Sequence, residues 1–205
     1  MTGVGSTEPA RSAGAGSAGV GRRHYMVCLD LQGRDCLVVG GGRIGVEKAQ
    51  GLLDCGADVT VVAPEVSPEV RALPVRVVER AFRRSDVVGR FLVIAATNIR
   101  AVNAVVSDAA HDRSVPCNVA DDPELCSFIL PAIVRRDPIL VGVSTGGASP
   151  ALAQRIRDDV DDLLDPRHAE LAQRLRDLRP WAKANLPTYE ARRDYFQWLV
   201  AEALS

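Results

Sequence analysis

Cys36-Leu37-Val38-Val39-Gly40-Gly41-Gly42-Arg43-Ile44-Gly45-Val46-Glu47-Lys48-Ala49 decides the fold. A short apolar β run passes directly into G-x-G-x-x-G, and a helical pattern follows. The three glycines have separate duties in such a turn. Gly40 lets the chain turn sharply off the strand, Gly42 lets a diphosphate approach the backbone, and Gly45 lets the helix pack close to the strand. Unpaired N–H groups at the helix N-terminus then face the anion. Glycines alone can be a loop; the strand before and the helix after make this a candidate dinucleotide turn, with a tight βα turn that holds no ligand as the alternative.

Outward from that turn, apolar strands alternate with helices. The strands are expected at 35–39, 57–63, 75–78, 91–96 and 115–119, with helices over 45–55 and 99–112. Gly56 stands where a helix C-cap glycine belongs. Strands apolar on both faces, separated by helices, mean a parallel sheet covered on both sides, with right-handed crossovers. After residue 126 the pattern changes. Two β runs, 127–135 and 139–144, flank Arg136-Asp137-Pro138 with no helix between them, as in a hairpin or bent pair. Exposed strands of this kind pair readily with a second subunit. Ser149 is a good N-cap and Pro150 a good first helical residue for a helix to about 164. The spacing of Leu171, Leu175, Leu178 and Trp181, then Tyr189, Phe196, Leu199, Val200 and Leu204, predicts two more helices whose apolar stripes pack on one another. The expected fold class is therefore α/β: a tail over 1–22, a Rossmann-like nucleotide-binding domain over 23–126, a small β region for dimerisation over 127–149, and a helical domain over 150–205.

Composition narrows the classes. With 205 residues, 47% of them apolar and 25% charged, the chain can bury a sizeable core. A net charge of −1 argues against a protein built to coat nucleic acid. No run approaches the ~18 apolar residues of a membrane span. Of the 25 basic residues only Lys48 and Lys183 are lysine, leaving 23 arginines, side chains suited to carboxylates and phosphates. Residues 1–22 are rich in Gly, Ala and Ser and lack the apolar region of a secretory signal, so they read as a disordered tail. The five cysteines form no C-x-x-C and lie mostly in apolar surroundings, which points to reduced thiols and a cytoplasmic location. His24, His111 and His168 stand in no ligand spacing, so no resident metal site is expected.

Ligands of open parallel sheets bind outside the carboxyl ends of the strands. That rule puts Thr97, Asn118, Asp121 and Asp122 near a bound nicotinamide, and the adjacency of Asp121 and Asp122 means that only one faces the cleft. The acid expected at the end of the second strand comes late: Pro64 follows the strand and Glu65 is the first carboxylate. Arg43 stands in the phosphate turn, either on a diphosphate or 2′-phosphate or in solvent. Ser144, Thr145 and Gly146 open a second glycine-rich turn that could bind carboxylates or simply cap a helix.

Five pieces in order, CLVVGGGRIGVEKAQGLLDCGADVTVVAP (36–64), FLVIAATN (91–98), VNAVVSDAA (102–110), VPCNVADDPELCSFILPAIV (115–134) and ILVGVSTGGASPALAQRIR (139–157), resemble the precorrin-2 dehydrogenase/sirohydrochlorin ferrochelatase family, the N-terminal module of siroheme synthase. The resemblance runs from about residue 25 to 164. It implies NAD-dependent oxidation of precorrin-2 to sirohydrochlorin, in some members followed by insertion of Fe²⁺ as a substrate metal, and a homodimer with the site at the junction of exchanged strands. It places the catalytic aspartate on Asp121, the cofactor turn on Gly40 to Gly45 with Arg43 and Ile44 inside it, and the adenosine side on Pro64 and Glu65. A serine that is phosphorylated in some members falls on Thr145. The readings that compete with a dehydrogenase are an NAD(H)-binding sensor and a chelatase-only or inactive homologue.

Overall fold

The structure, a computed structural model, describes residues 24–205. The expected tail over 1–22 lies outside the described residues. Five strands, β1 (Asp35–Val39), β2 (Asp58–Ala63), β3 (Arg76–Glu79), β4 (Leu92–Ala95) and β5 (Cys117–Val119), form one sheet. All its pairs are parallel and its order is β3-β2-β1-β4-β5. The helices between them are α1 (Arg43–Leu53), α2 (Pro68–Ala72) and α3 (Arg100–His111). Strand order reverses direction at β1, which has β2 on one side and β4 on the other, and a crevice opens at such a reversal.

Alternation along each strand sorts its side chains onto two faces. Cys36 and Val38 of β1 pack with Val59, Val61, Leu92 and Ile94 under α1, whose Ala49 and Leu52 are buried. Leu37 and Val39 point the other way, joining Val62, Val93, Ala95 and Val119 under Val106, Ala109 and Ala110 of α3. Each fully buried side chain of this size contributes about 2 kcal/mol of transfer free energy.

Element ends follow local chemistry. α1 starts two residues before its expected start because Gly42 serves as N-cap. It closes where expected: Gly56, at φ +77, sends its N–H to Leu53 O at 2.8 Å, and Ala57 N–H reaches Leu52 O at 3.1 Å. These crossed bonds are how a left-handed glycine ends a helix.

The extra β run is shorter than expected. β6 spans only Ala132–Arg136 and pairs antiparallel with β7, Ile139–Val143. Residues 127–131 are not strand. There Ser127 Oγ accepts the Cys117 N–H at 2.7 Å, and Pro131 has no N–H to offer a ladder. The β6–β7 sheet has two strands, so among the described residues the outer edge of each is unpaired.

Three helices follow: α4 (Pro150–Leu163), α5 (Pro166–Asn185) and α6 (Tyr189–Ala203). Ser149 caps α4 as expected, accepting from Leu152 N–H at 3.2 Å. Tyr195 links α6 to α5 through Trp181, ring centroids 5.5 Å apart. The stripes expected to pack on each other do so only in part. Within α4–α6 only Ala153 and Ala182 are buried, while Leu152, Trp181, Tyr189 and Trp198 are each about half exposed or more. Among the described residues no helix is long and apolar enough to cross a membrane.

The loop after β3 is closed by an ion pair. Arg80 donates to both carboxylate oxygens of Asp86, at 2.7 and 2.8 Å, and Arg83 N–H adds a third bond at 2.8 Å. The Arg80 guanidinium holds the Asp86 carboxyl below its ordinary value, and the Arg83 N–H adds to this. A carboxylate depressed in the folded state stabilises above the unfolded value near pH 4, and loses that effect as pH falls through its folded value. Asp86→Asn is therefore expected to lower unfolding free energy by about 1 kcal/mol at pH 7, allowing for solvent screening. The gap should be smaller at an acidic pH below about 4, where the carboxylate begins to protonate, than at pH 7. Urea melts at both pH values test this, and an equal gap at both contradicts it.

Candidate active site

The β1–α1 turn is shaped by what cannot fit in it. Gly40 has φ +130, and a Cβ there would run into the Ala96 carbonyl. A Cβ on Gly45 would collide with the Gly40 carbonyl, so α1 rests directly on the backbone of the turn. A Cβ on Gly41 would meet Glu65 O and Val66 in the loop after β2. That loop is tied on by Ser67 N–H to Gly41 O at 2.9 Å. Gly42 differs: a Cβ there meets nothing within 4 Å. The one glycine not excluded by protein packing is the one whose outward side faces open space.

The N-terminus of α1 has no side-chain cap and no acid in its first turn. Val46 N–H is the first to bond, to Gly42 O at 3.0 Å, so the preceding donors are left for an anion. An open glycine in front of uncapped N–H groups fits a nucleotide diphosphate. Arg43 is exposed beside it, Ile44 half-buried, and Pro64 and Glu65 exposed at the end of β2.

Strand register brings further residues to the same edge. Val39 lies opposite Ala95, and Ala95 opposite Val119. Pairing continues one step past each strand, with Ala96 N–H to Val39 O at 2.7 Å and Ala120 N–H to Ala95 O at 2.9 Å. Gly40, Ala96 and Ala120 therefore leave the sheet abreast, and Thr97 and Asp121 follow one residue further on. Thr97 is held by Asn103 of α3, whose Oδ1 accepts the Thr97 hydroxyl at 2.7 Å and whose Nδ2 donates to Thr97 O at 2.9 Å. Asn103 is 5% exposed and was not singled out in the sequence. Its one sequence signal is a polar residue on the buried face of an otherwise apolar helix.

The two adjacent acids differ in their surroundings. Asp122 is half-buried and paired with Arg100 Nε at 2.9 Å. Asp121 is exposed, at φ +60, and its carboxylate takes no partner among the described residues. Non-glycine residues rarely hold that conformation, and those that do cluster at functional sites.

Asn118 is placed differently from the sequence expectation. It is 7% exposed, and its Nδ2 donates to Phe128 O at 3.0 Å and approaches Cys126 Sγ at 3.6 Å. It clamps β5 to the next segment instead of facing the substrate. Burial pushes the Cys117 thiol up to about 12 and also raises that of Cys126, so both sulfurs stay protonated.

Ser144, Thr145 and Gly146 stand apart from Asp121. They line a cleft of about 830 Å³ with Lys48 of α1, Phe128 and Gln154 of α4. That volume suits a small-molecule site. The Thr145 hydroxyl is engaged at the helix start, accepting from Ser149 N–H at 3.1 Å and donating to Ser149 O at 3.0 Å. Pro123, two residues past Asp121, reaches the cleft wall; Asp121, Thr97 and the glycine turn do not form part of it.

A family profile described as "Putative NAD(P)-binding" matches residues 27–132, and one described as "Sirohaem biosynthesis protein central" matches 136–163. A solved structure, "SirC, precorrin-2 dehydrogenase", is 30% identical with a TM-score of 0.74, over 89% of this chain and 93% of that one. The chain belongs to this precorrin-2 dehydrogenase/siroheme synthase family. Siroheme synthases of Methylococcus capsulatus and Pseudomonas aeruginosa are each 42% identical to it, over 83% and 84% of the chain. The chain spans only 37% and 39% of their lengths. Membership of the family carries the Rossmann-like sheet and pyridine-nucleotide binding with it.

The glycine geometry predicts a contrast in stability. Gly45→Ala must push α1 off the Gly40 carbonyl and should cost about 3 kcal/mol. Gly42→Ala meets open space at an extended φ of −93 and should change stability by no more than about 0.5 kcal/mol. Thermal melts of the two variants check this, and equal losses would contradict the packing described.

Proposed function

We propose that the protein oxidises precorrin-2 to sirohydrochlorin with NAD⁺, and that Asp121 is its general base. The observation that carries this reading is the division between neighbouring acids. Asp122 is committed to Arg100, while Asp121 stands unpaired at the sheet edge that also carries the open Gly42 turn. The relative whose length the chain nearly matches is titled a precorrin-2 dehydrogenase.

The reaction removes two electrons and two protons from the macrocycle: one hydride leaves, and one proton is lost to a base. NAD⁺, when bound, supplies the hydride acceptor. Gly42, Arg43, Ile44 and Gly45 would hold its diphosphate end, Pro64 and Glu65 would flank the adenosine, and Thr97, fixed by Asn103, would stand on the nicotinamide side. Asp121 takes the proton and returns it to water. A carboxylate is a sufficient acceptor when it is held within hydrogen-bond reach of an acidified C–H or N–H. The 144–146 turn and Lys48 offer N–H, hydroxyl and ammonium donors to the carboxylates that ring the substrate. Insertion of Fe²⁺ into the product would release two pyrrole protons, and the same carboxylate is placed to accept them.

A homodimer completes the reading. Support comes from the unpaired edges of β6 and β7 and from exposed Leu130, Ile133, Leu140, Leu152 and Ile156 along that region. Five free cysteines suit a reducing cytoplasm.

Asp121→Asn should reduce kcat for precorrin-2 oxidation by at least about a hundredfold while NAD⁺ affinity stays within twofold. Gly42→Ala should do the reverse, weakening NAD⁺ binding at least about tenfold. Sirohydrochlorin absorbance and nucleotide titration read the two effects. Normal turnover by Asp121→Asn contradicts the assignment. Sedimentation should give twice the 22.0 kDa chain mass. A stable species of single-chain mass contradicts the dimer.

A further inference from the structure

The turn that presents Asp121 is held from inside by one sulfur atom. Residues 119–122 form a four-residue turn in which Asp122 N–H reaches Val119 O at 3.4 Å. Asp121 occupies the third position at φ +60, where glycine or asparagine is the usual occupant. Aspartate tolerates that conformation better than most residues, but among the described residues no hydrogen bond of the Asp121 side chain holds it there, so contacts on either side of it matter more.

Cys126 supplies those contacts. Its Sγ accepts the Val119 N–H at 3.1 Å and lies 3.3 Å from both Val119 O and Asp122 O. Asn118 Nδ2 approaches the same sulfur at 3.6 Å. The single thiol proton serves one carbonyl at a time, and the lone pairs receive the N–H groups. One atom therefore touches backbone on both flanks of Asp121. The sulfur is itself fixed, since Cys126 N–H bonds Pro123 O at 3.2 Å and Ser127 N–H bonds Cys117 O at 2.8 Å. The Asp122–Arg100 pair pins only the far side of the turn.

We propose that Cys126 is a positioning residue for Asp121, its thiol bridging Val119 and Asp122 so that the carboxylate is carried to the sheet edge in a left-handed turn. This rests on the reading of Asp121 as the base. The thiol forms no bond to substrate and changes no oxidation state.

Two near-isosteric variants of the full chain separate hydrogen bonding from packing. Cys126→Ser keeps a donor and lone pairs in a smaller side chain. Cys126→Val fills the place of the sulfur with one methyl group more and offers neither. With precorrin-2 and NAD⁺, Cys126→Val should lose about tenfold to a hundredfold in kcat, the scale on which a misplaced catalytic group costs rate. Its NAD⁺ affinity should stay within twofold of wild type. Cys126→Ser should keep kcat within about threefold. In an Asp121→Asn background, Cys126→Val should lower the residual rate no further. The opposite order, with Val active and Ser impaired, makes the role one of packing and overturns the inference, as does any other order of the two. An inactive Asp121→Asn beside fully active Cys126 variants defeats this inference alone. An active Asp121→Asn defeats the reading of Asp121 itself.

Discussion

The Gly40 carbonyl oxygen occupies the place where a side chain on Gly45 would stand. Everything at the candidate site depends on that contact. It lets α1 lie against the end of β1, so the axis of the helix, and the partial positive charge at its N-terminus, point across the carboxyl edge of the sheet. Any larger residue at 45 would lift the helix and turn its free N–H groups away. The same economy recurs at Gly40 and Gly41, whose missing side chains admit the Ala96 carbonyl and the loop after β2. Three close backbone approaches leave one open face, at Gly42.

The parallel register then fixes what shares the edge. Val39, Ala95 and Val119 lie abreast, so the residues that follow the three strands leave from one edge of the sheet. Two side chains there are tied back and one is not. Thr97 is oriented by a buried asparagine, Asp122 is neutralised by Arg100, and Asp121 is left exposed with its charge unpaired. A base needs an available lone pair, and of the two acids only Asp121 has a carboxylate without an ion-pair partner among the described residues. The cleft lined by Ser144, Thr145 and Gly146 lies next to this edge but does not include it.

Much of the fold was legible because its signals are short-range. β1 could be read residue for residue, since an apolar run abutting a glycine turn has few other solutions. Ser149 and Gly56 were legible because caps are set by one side chain or one φ value. The extent of β6 was not. Residues 127–131 read as part of an apolar β run, but Ser127 is drawn to the backbone of β5, a contact between segments that local pattern cannot show. Asn118 was misplaced for a related reason: its position at the end of β5 fits a ligand, but the partner of its amide lies ten residues on, at Phe128. The stripes of α5 and α6 were visible as periodicity, yet periodicity does not say whether a stripe meets its own chain or another. Cys126 drew attention only as one of five thiols, because three of its four partners are backbone groups, which no residue type announces.

A crystal structure of the protein with NAD⁺ bound is the most direct measurement. Diphosphate oxygens should lie about 3 Å from N–H groups between Gly42 and Gly45, with the nicotinamide ring over the edge formed by Thr97 and Asp121 and the Asp121 carboxylate facing it. A nucleotide seated elsewhere, or an Asp121 carboxylate turned back into an ion pair of its own, would contradict the placement of both cofactor and base.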